Sequence, residues 1–430
     1  VVVLCLALGG CGGGSSSTHS GGHRVDQATL GSARHRAHHR RITPAMRRLH
    51  AELTAAMKKA GPNTGAAVYD LTAHQLLFTL RPNSVRPPAS IEKLYTTVAL
   101  LRKFSPNFRL HTTVFGSGHL DHAGTWHGNL YLRGAGDPTF GDGGFNHLYE
   151  LGYGPTTAQL TAQLADKGIH RVTGQVIADE SLFDAHRGGM LTDLAPDIPD
   201  FGGQMSALVY DHGSTDGKVS PALFAAKQFA ATLRAARIEA TAAPYTERAP
   251  RHARKLASAR SPTLRTLIDL MNFRSDDLFA ELLTKQLGAR FGHGGSIASG
   301  AKVITHQIAR LGIHPGIIDG SGLSRDDRSS PAQVLMLLRK VWHTPIGHVL
   351  FASLPVVGVN GTTRRIGKGT PAQGNCIGKT GTLDYVTNLA GVCRGRSGHM
   401  LAYALFIDGP TNETAVVTLL GPMVAAVARY

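Results

Sequence analysis

Four cysteines in 430 residues exclude a scaffold built on disulfides, and two of them, Cys5 and Cys11, lie in or beside the apolar N-terminus. Long hydrophobic runs are missing as well. The N-terminal run stops at Leu8, where glycine begins, and is too short to span a bilayer. No His-Glu-x-x-His occurs, the 22 histidines are scattered, and the Cys/His spacing suits no zinc site. No glycine-rich phosphate loop follows a strand, because "GGCGGGSSS" belongs to the N-terminal segment. Neither a metal nor any other cofactor is therefore expected. No internal repeat is visible. Acidic residues are scarce, 29 against 45 Lys and Arg, which leaves a formal charge of +16. What is present, 42% hydrophobic and 17% charged residues, is the composition of a soluble globular chain with room for two domains.

The stretch "VVVLCLALGGCGGGSSSTHSGGHR" has the shape of a signal-peptide hydrophobic region followed by small residues. Leu8-Gly9-Gly10-Cys11 resembles the bacterial lipobox, in which the cysteine is lipidated and becomes the new N-terminus. No initiator Met or basic segment precedes it, which leaves the precursor start open. Simple secretion with Cys11 incidental, or a signal-anchor stub, is the alternative. Export is expected either way, with an anchor at the outer face of the cell membrane if Cys11 is lipidated. Residues 1–11 read as the signal segment and 12–43 as a disordered basic tether. Residues 19–48 carry Arg24, Arg34, Arg36, Arg40, Arg41, Arg47 and Arg48 against a single Asp26, with few large apolar side chains. An exported chain seldom meets nucleic acid, and none is expected as a partner. Anionic lipid headgroups or cell-wall polymers are the counter-charge, unless the tether is simply solvated.

From Ile42 to Leu101 the pattern predicts a helix ("AMRRLHAELTAAMKKAG"), two strands ("GAAVYDLT", "QLLFTLRP") and a helix opening near Ser90. Between about 105 and 185 come the strands "FRLHTTVFGSG", "GNLYLRGAGDPTF" and "RVTGQVIADES", with the helix "TTAQLTAQLADKGI". Residues 186–220 read as loop, "SPALFAAKQFAATLRAARI" as a helix and "EATAAPYTE" as a strand. After Pro262 the chain is mostly helical to about 350, and it closes with "CIGKTGTL", "NLAGVCR", "HMLAYALFID" and a last helix. Strands at both ends predict one α/β domain, 44–104 plus 265–430, whose sheet the C-terminus completes. The middle, 105–264, reads as an inserted mixed α/β domain. If 376–383 and 386–394 form a hairpin turning at Asp384-Tyr385, Cys376 and Cys393 face each other. A cross-strand disulfide and two buried thiols are both compatible with that.

Two serines are followed three residues later by a lysine: Ser90-Ile91-Glu92-Lys93 and Ser299-Gly300-Ala301-Lys302. On a helix, residues i and i+3 share a face, so the lysine can reach the hydroxyl and serve as its base. The helix start also offers the Ser90 N–H to a developing oxyanion. Such a pair alone is weak evidence, as its second copy shows. The order of partners decides. Lys379-Thr380-Gly381-Thr382 lies on a predicted strand, where a lysine and two hydroxyls form an edge that binds a carboxylate and Gly381 leaves room for a substrate backbone. Between Ser90 and Lys379 lies Ser275-Asp276-Asp277, and Ser-x-x-Lys with Ser-Asp-Asn and Lys-Thr-Gly is the motif set of penicillin-binding proteins. Ser299 has no such motif between itself and Lys379.

With these motifs and "LYLRGAGDPTF", "SDDLFAELL", "DGSGLSRDDR" and "GKTGTL", residues 45–430 resemble the class C low-molecular-mass penicillin-binding proteins. These are serine D-alanyl-D-alanine carboxypeptidases and endopeptidases. The resemblance implies an α/β (α+β) transpeptidase-like fold, its sheet flanked by helices, with an inserted domain. It implies Ser90 as acylated nucleophile, Lys93 as base and Ser275 as a proton relay between Lys93, Lys379 and the leaving amine. Lys379, Thr380 and Thr382 would hold the substrate carboxylate, and the Ser90 and Thr382 N–H groups would form the oxyanion hole. Ser321, Leu323 and Arg325 would line the pocket for the peptide stem, with Asp137 a further contact or only a turn former. The implied partners are peptidoglycan peptides and β-lactam antibiotics. One position departs from the pattern. Asp277 stands where Asn is usual, and an ionised Asp accepts hydrogen bonds but cannot donate. Beside two lysines it is expected to be charged and to hold Lys93 protonated, which opposes its action as a base. A catalytically weakened wall-binding protein, and a β-lactamase or esterase using the same pair, are the rival functions.

Overall fold

A computed structural model describes residues 43–188, 203–213, 219–409 and 413–430. Cys11, the expected signal segment and the tether up to residue 42 lie outside the described residues, as does part of the loop expected at 186–220.

Helix α1 (Pro44–Lys59) starts where the Thr43 hydroxyl accepts the Met46 N–H and Pro44 supplies a preset φ. It buries Leu49, Leu53 and Met57, spaced four residues apart on one face. Strands β1 (Gly65–Asp70) and β2 (Gln75–Leu80) follow, then a short 3-10 turn, Ala89–Ile91, and α2 (Glu92–Lys103). Next come β3 (His111–Leu120), β4 (Thr125–Arg133), α3 (Gly143–Tyr149), α4 (Thr157–Ala165), β5 (Arg171–Asp179), α5 (Pro221–Ala235), β6 (Glu239–Thr246) and β7 (Arg254–Arg260). A helical stretch carries α6 (Leu264–Arg274), α7 (Asp277–Phe291), α8 (Ile297–Ala309), α9 (Pro331–Val341) and α10 (Pro345–Ala352). The chain closes with β8 (Cys376–Leu383), β9 (Val386–Arg394), β10 (Met400–Asp408) and α11 (Glu413–Ala428).

The ten strands named form two sheets. The first has the order β2-β1-β10-β9-β8 and is antiparallel throughout. The second, β6-β5-β4-β3-β7, uses only strands between His111 and Arg260, and its β4-β5 and β5-β6 pairs are parallel. Strand β10, at the centre of the first sheet, shows why a continuous apolar run works there. Ala402, Ala404 and Phe406 face the core shared with α2, α6, α7, α8 and α9. Leu401, Tyr403, Leu405 and Ile407 face the opposite core, which α1 and α11 cover. Both faces are dry, so alternation of polar and apolar residues is not required.

Helix α2 is buried along Glu92–Leu101, a core helix with no wet side. That burial matters for function, because Glu92 and Lys93 are carried into the interior with it. The mixed α/β class expected from the sequence is the one observed. In the β8–β9 hairpin Cys376 is paired in register with Cys393, and the two are joined as a disulfide.

That disulfide closes a segment with a sequence separation of 17. Loop closure of this size is worth about 3 kcal/mol through the unfolded state. The double variant Cys376→Ala/Cys393→Ala is expected to lose that amount in urea denaturation, whereas an unchanged midpoint would contradict it.

Candidate active site

The turn that carries Ser90 is fixed from three sides. Pro87 and Pro88 lead into it, and Ala89 adopts a left-handed φ of 49°, which costs a non-glycine residue about 1–3 kcal/mol unless its surroundings impose it. The Asn388 amide on β9 donates to Pro87 O at 3.1 Å and to Pro88 O at 3.0 Å, while its oxygen accepts the Ile407 N–H of β10. Two glycines allow the close approach. A Cβ on Gly381 would sit 2.6 Å from Pro88 O, and one on Gly322 would clash with Ala89 O. The Cβ side of Gly381 is thus taken by the turn that carries Ser90.

Ser90 is half-buried and Lys93 is fully buried. The Lys93 Nζ lies 3.0 Å from Ser90 Oγ, 2.5 Å from Asp277 Oδ1 and 2.8 Å from the carbonyl oxygen of Ser321. Three acceptors around one buried ammonium match its three protons. Burial lifts the Asp277 carboxyl above its usual range, and the charge and hydrogen bond of Lys93 pull it part of the way back.

The second lysine is placed differently. Lys379 on β8 is also fully buried; its Nζ is 2.7 Å from Ser275 Oγ and 2.9 Å from Thr380 O. Burial first, and the charge of Lys93 second, hold it well below an ordinary lysine, with Asp277 opposing. The array thus contains one lysine with a carboxylate partner and one driven towards the neutral amine. Strand β8 is an edge strand of its sheet, so beyond the bridge at Ile377 its outer side has no strand partner among the described residues.

The turn between α6 and α7 presents Ser275 and Asp277. Ser275 ends α6 with a left-handed φ of 66°, and Asp276 then caps α7 by accepting the Phe279 N–H at 2.9 Å. The other oxygen of Asp276 receives His212 Nε2 at 2.7 Å, and both residues are buried. The loop that supplies Ser321 O is fastened by carboxyls. Glu281 accepts the Gly320 and Ser321 N–H groups, and Asp319 accepts those of Ser321, Gly322 and Ser324. Asp327 accepts the Ile318 N–H. Glu92 joins them with neither oxygen hydrogen-bonded. Burial, then mutual repulsion, pushes Glu92 well above its usual value, Glu281 up to about 8 and Asp327 up to about 9.

The structure brings Ser90, Lys93, Ser275, Asp277 and Lys379 together. Thr380 bonds through its hydroxyl to Thr362 Oγ1 at 2.8 Å, and Thr382 is exposed beside it. Ser321 is fully buried and faces Lys93 through its carbonyl, which corrects the expectation that it lines a peptide pocket. Leu323 is half-buried, and Arg325 is exposed, donating to Asp384 O at 3.0 Å. Asp137 is 2% exposed, and its Oδ1 accepts the N–H and hydroxyl of Thr139, a turn former's geometry. Burial pushes its carboxyl up to about 6. Ser299 lies in the first turn of α8, accepting the His293 N–H, and Lys302 is exposed. Sequence reasoning missed His212, Thr362 and the carboxyl cluster. Only the buried helical spacing of Glu92 on an apolar helix hinted at the last.

Residues 49–222 and 217–430 match the D-Ala-D-Ala carboxypeptidase 3 (S13) family. The chain is 30% identical over 410 residues to carboxypeptidase DacB of Mycolicibacterium smegmatis, covering 88% of this chain and 84% of that protein. Penicillin binding protein 4 (dacB) from Haemophilus influenzae has a similar fold, with a TM-score of 0.74 at 21% identity over 88% of this chain and 99% of that one. The same protein solved with a novel β-lactam gives a TM-score of 0.68 at 21% identity, covering 88% of this chain and 100% of that one.

The carboxyl cluster sets a pH dependence of stability. Unfolded, these groups titrate near 4; folded, Glu281 and Asp327 keep their protons to about 8 and 9. Between those limits the folded chain binds more protons, so stability falls as pH rises. The melting temperature is expected to drop from about pH 5 to 9 and Glu92→Gln to flatten the drop; a variant curve parallel to the native one would contradict this.

Proposed function

The chain belongs to the D-Ala-D-Ala carboxypeptidase 3 (S13) family, and from that premise we propose how its Ser90 centre performs the family's reaction. The protein is a serine-type D-alanyl-D-alanine carboxypeptidase with a penicillin-binding fold, acting on peptidoglycan outside the cytoplasm. The observation that carries the residue assignment is the pair of hydrogen-bonded sets Ser90–Lys93–Asp277 and Lys379–Ser275, close enough for Lys93 and Asp277 to act on the charge of Lys379.

An extended stem peptide adds along the open side of β8 in the manner of an extra strand. Its terminal carboxylate meets Lys379, Thr380 and Thr382, and Leu323 and Arg325 border the stem. Ser90 Oγ attacks the carbonyl carbon of the scissile bond, whose oxygen points to the Ser90 and Thr382 N–H groups. One proton leaves Ser90 for the Lys93 side of the array and reaches the departing amine through the Ser275 hydroxyl. The C–N bond breaks, D-alanine leaves, and the acyl group stays on Ser90 as an ester. Water then takes the place of the amine and releases the shortened peptide. Asp277 sets the speed, since its carboxyl 2.5 Å from Lys93 Nζ forms an ion pair that must be given up before that nitrogen can accept the serine proton. A penicillin follows the same course and stops at the ester. The weakened wall-binding alternative draws on the same Asp277.

The segment 105–264 is read as an inserted domain shaping the cleft. No helix among the described residues is long and apolar enough to cross a membrane. Attachment to the outer face of the membrane through a lipidated Cys11 accounts for tethering.

Fluorescent penicillin is expected to label the native protein stably and Ser90→Ala not at all. Absence of native label would favour the wall-binding reading, and rapid loss of label the β-lactamase. Asp277→Asn should raise the acylation rate constant about tenfold, a barrier change of about 1.4 kcal/mol; an unchanged rate removes the throttling role of Asp277. Cys11→Ser is expected to move the protein from the membrane fraction to the soluble one, and unaltered membrane recovery contradicts the lipid anchor.

A further inference from the structure

His212 is the one residue of the second-sheet region shown above to bond to the second motif. It lies in the segment 203–213, between β5 and α5, where Asp211, His212 and Gly213 adopt left-handed φ of 48°, 59° and 72° in succession. Two adjacent non-glycine residues in that region persist only where their surroundings impose it. Here Asp211 N donates to Phe140 O at 3.1 Å, and Asp211 Oδ1 accepts the Asp142 N–H at 2.7 Å. The result aims the imidazole at Asp276. Its ring also lies against that of Phe279, at 5.8 Å between centroids, and Phe279 is the residue whose N–H Asp276 caps. Ring, carboxylate and helix start are thus linked, with Ser275 and Asp277 on either side of the carboxylate.

We propose that His212 is a positioning residue of the peptidase: by gaining and losing charge against Asp276 it controls the setting of Ser275 and Asp277, and through them Lys93. This rests on the assignment of Ser90 and its array as the catalytic centre. The physical route is short. A charged imidazole offsets the negative charge of Asp276, which otherwise bears on Asp277 and raises its carboxyl. Among the described residues, the other charged groups around the pair are Glu150 at the end of α3, Arg274 on α6, Asp137 after β4 and the neighbouring Asp211. Burial and Asp276 push Glu150 up to about 8, with His212 and Arg274 opposing. Burial lifts Asp137 and Asp211 to about 6.

The test is the pH profile of acylation by a fluorescent penicillin, with the full chain and the variants His212→Gln, Asp276→Asn, their double and Glu150→Gln. Glutamine keeps a donor for Asp276 but cannot titrate. His212→Gln is expected to keep the native melting temperature, to acylate about tenfold faster on the acid side, where the native imidazole is charged and holds Asp277 ionised against Lys93, and to lose an inflection between about pH 5 and 8. Glu150→Gln should keep that inflection, and the double variant should be no faster than Asp276→Asn. A His212→Gln profile with the native shape overturns the inference, as does loss of the inflection in Glu150→Gln or full multiplication of the two single effects. In each of those cases native labelling at Ser90 leaves the functional reading intact. No labelling of the native protein at any pH overturns both.

Discussion

A lysine ammonium with no exposure to water is the constraint on which the rest of this site depends. Removing such a charge from water costs several kcal/mol, and only paired and well-bonded surroundings offset it. Lys93 finds them in Asp277, Ser321 O and Ser90 Oγ, which come from three separate stretches of chain. Each must be brought to one point before the helix that carries Lys93 can be buried. Burial of that helix and assembly of the site therefore depend on the same contacts. The strained Ala89, the left-handed Ser275 and the missing Cβ atoms of Gly381 and Gly322 are the local means by which the stretches converge.

The two lysines divide the electrostatics between them. Lys93 has a carboxylate at 2.5 Å, while the contacts of Lys379 are a hydroxyl and a carbonyl, and it is driven down by burial and by Lys93 itself. The asymmetry follows from Asp277, which replaces a neutral amide by a group that attracts protons to one side. Beneath them, Glu281, Asp319 and Asp327 hold the loop of Ser321 by its backbone N–H groups with Glu92 packed beside them, and the four carboxyls can be packed together only because several remain protonated. The site is thus set by charge balance over about a dozen residues rather than by a serine and a base alone.

Much of this was legible in the sequence, because periodicity and motif order report backbone features. The β8–β9 turn at Asp384-Tyr385 and the pairing of Cys376 with Cys393 follow from counting outward from a hairpin turn. Helix α8 accounts for Ser299, in its first turn, and for the exposed Lys302 without chemistry. Strand β7 escaped notice because "RKLASAR" is polar along one edge of its sheet, and α3 because it opens on two glycines and is short. His212 could not be foreseen. It is 64 positions from Asp276, in a stretch with no periodicity, and its aim depends on backbone angles that sequence pattern does not encode. Ser321 was read as lining the substrate pocket for a similar reason, since a motif identifies residues but not which neighbours fill the space beside them.

If the array around Lys93 is the working centre, the chemistry is visible in its products. The most direct measurement is mass spectrometry of a defined muropeptide with a D-alanyl-D-alanine terminus after incubation with the full chain. Release of the terminal D-alanine by the native protein and none by Ser90→Ala is the result that follows from this structure. Recovery of the intact muropeptide from the native protein, or equal release by Ser90→Ala, would contradict it.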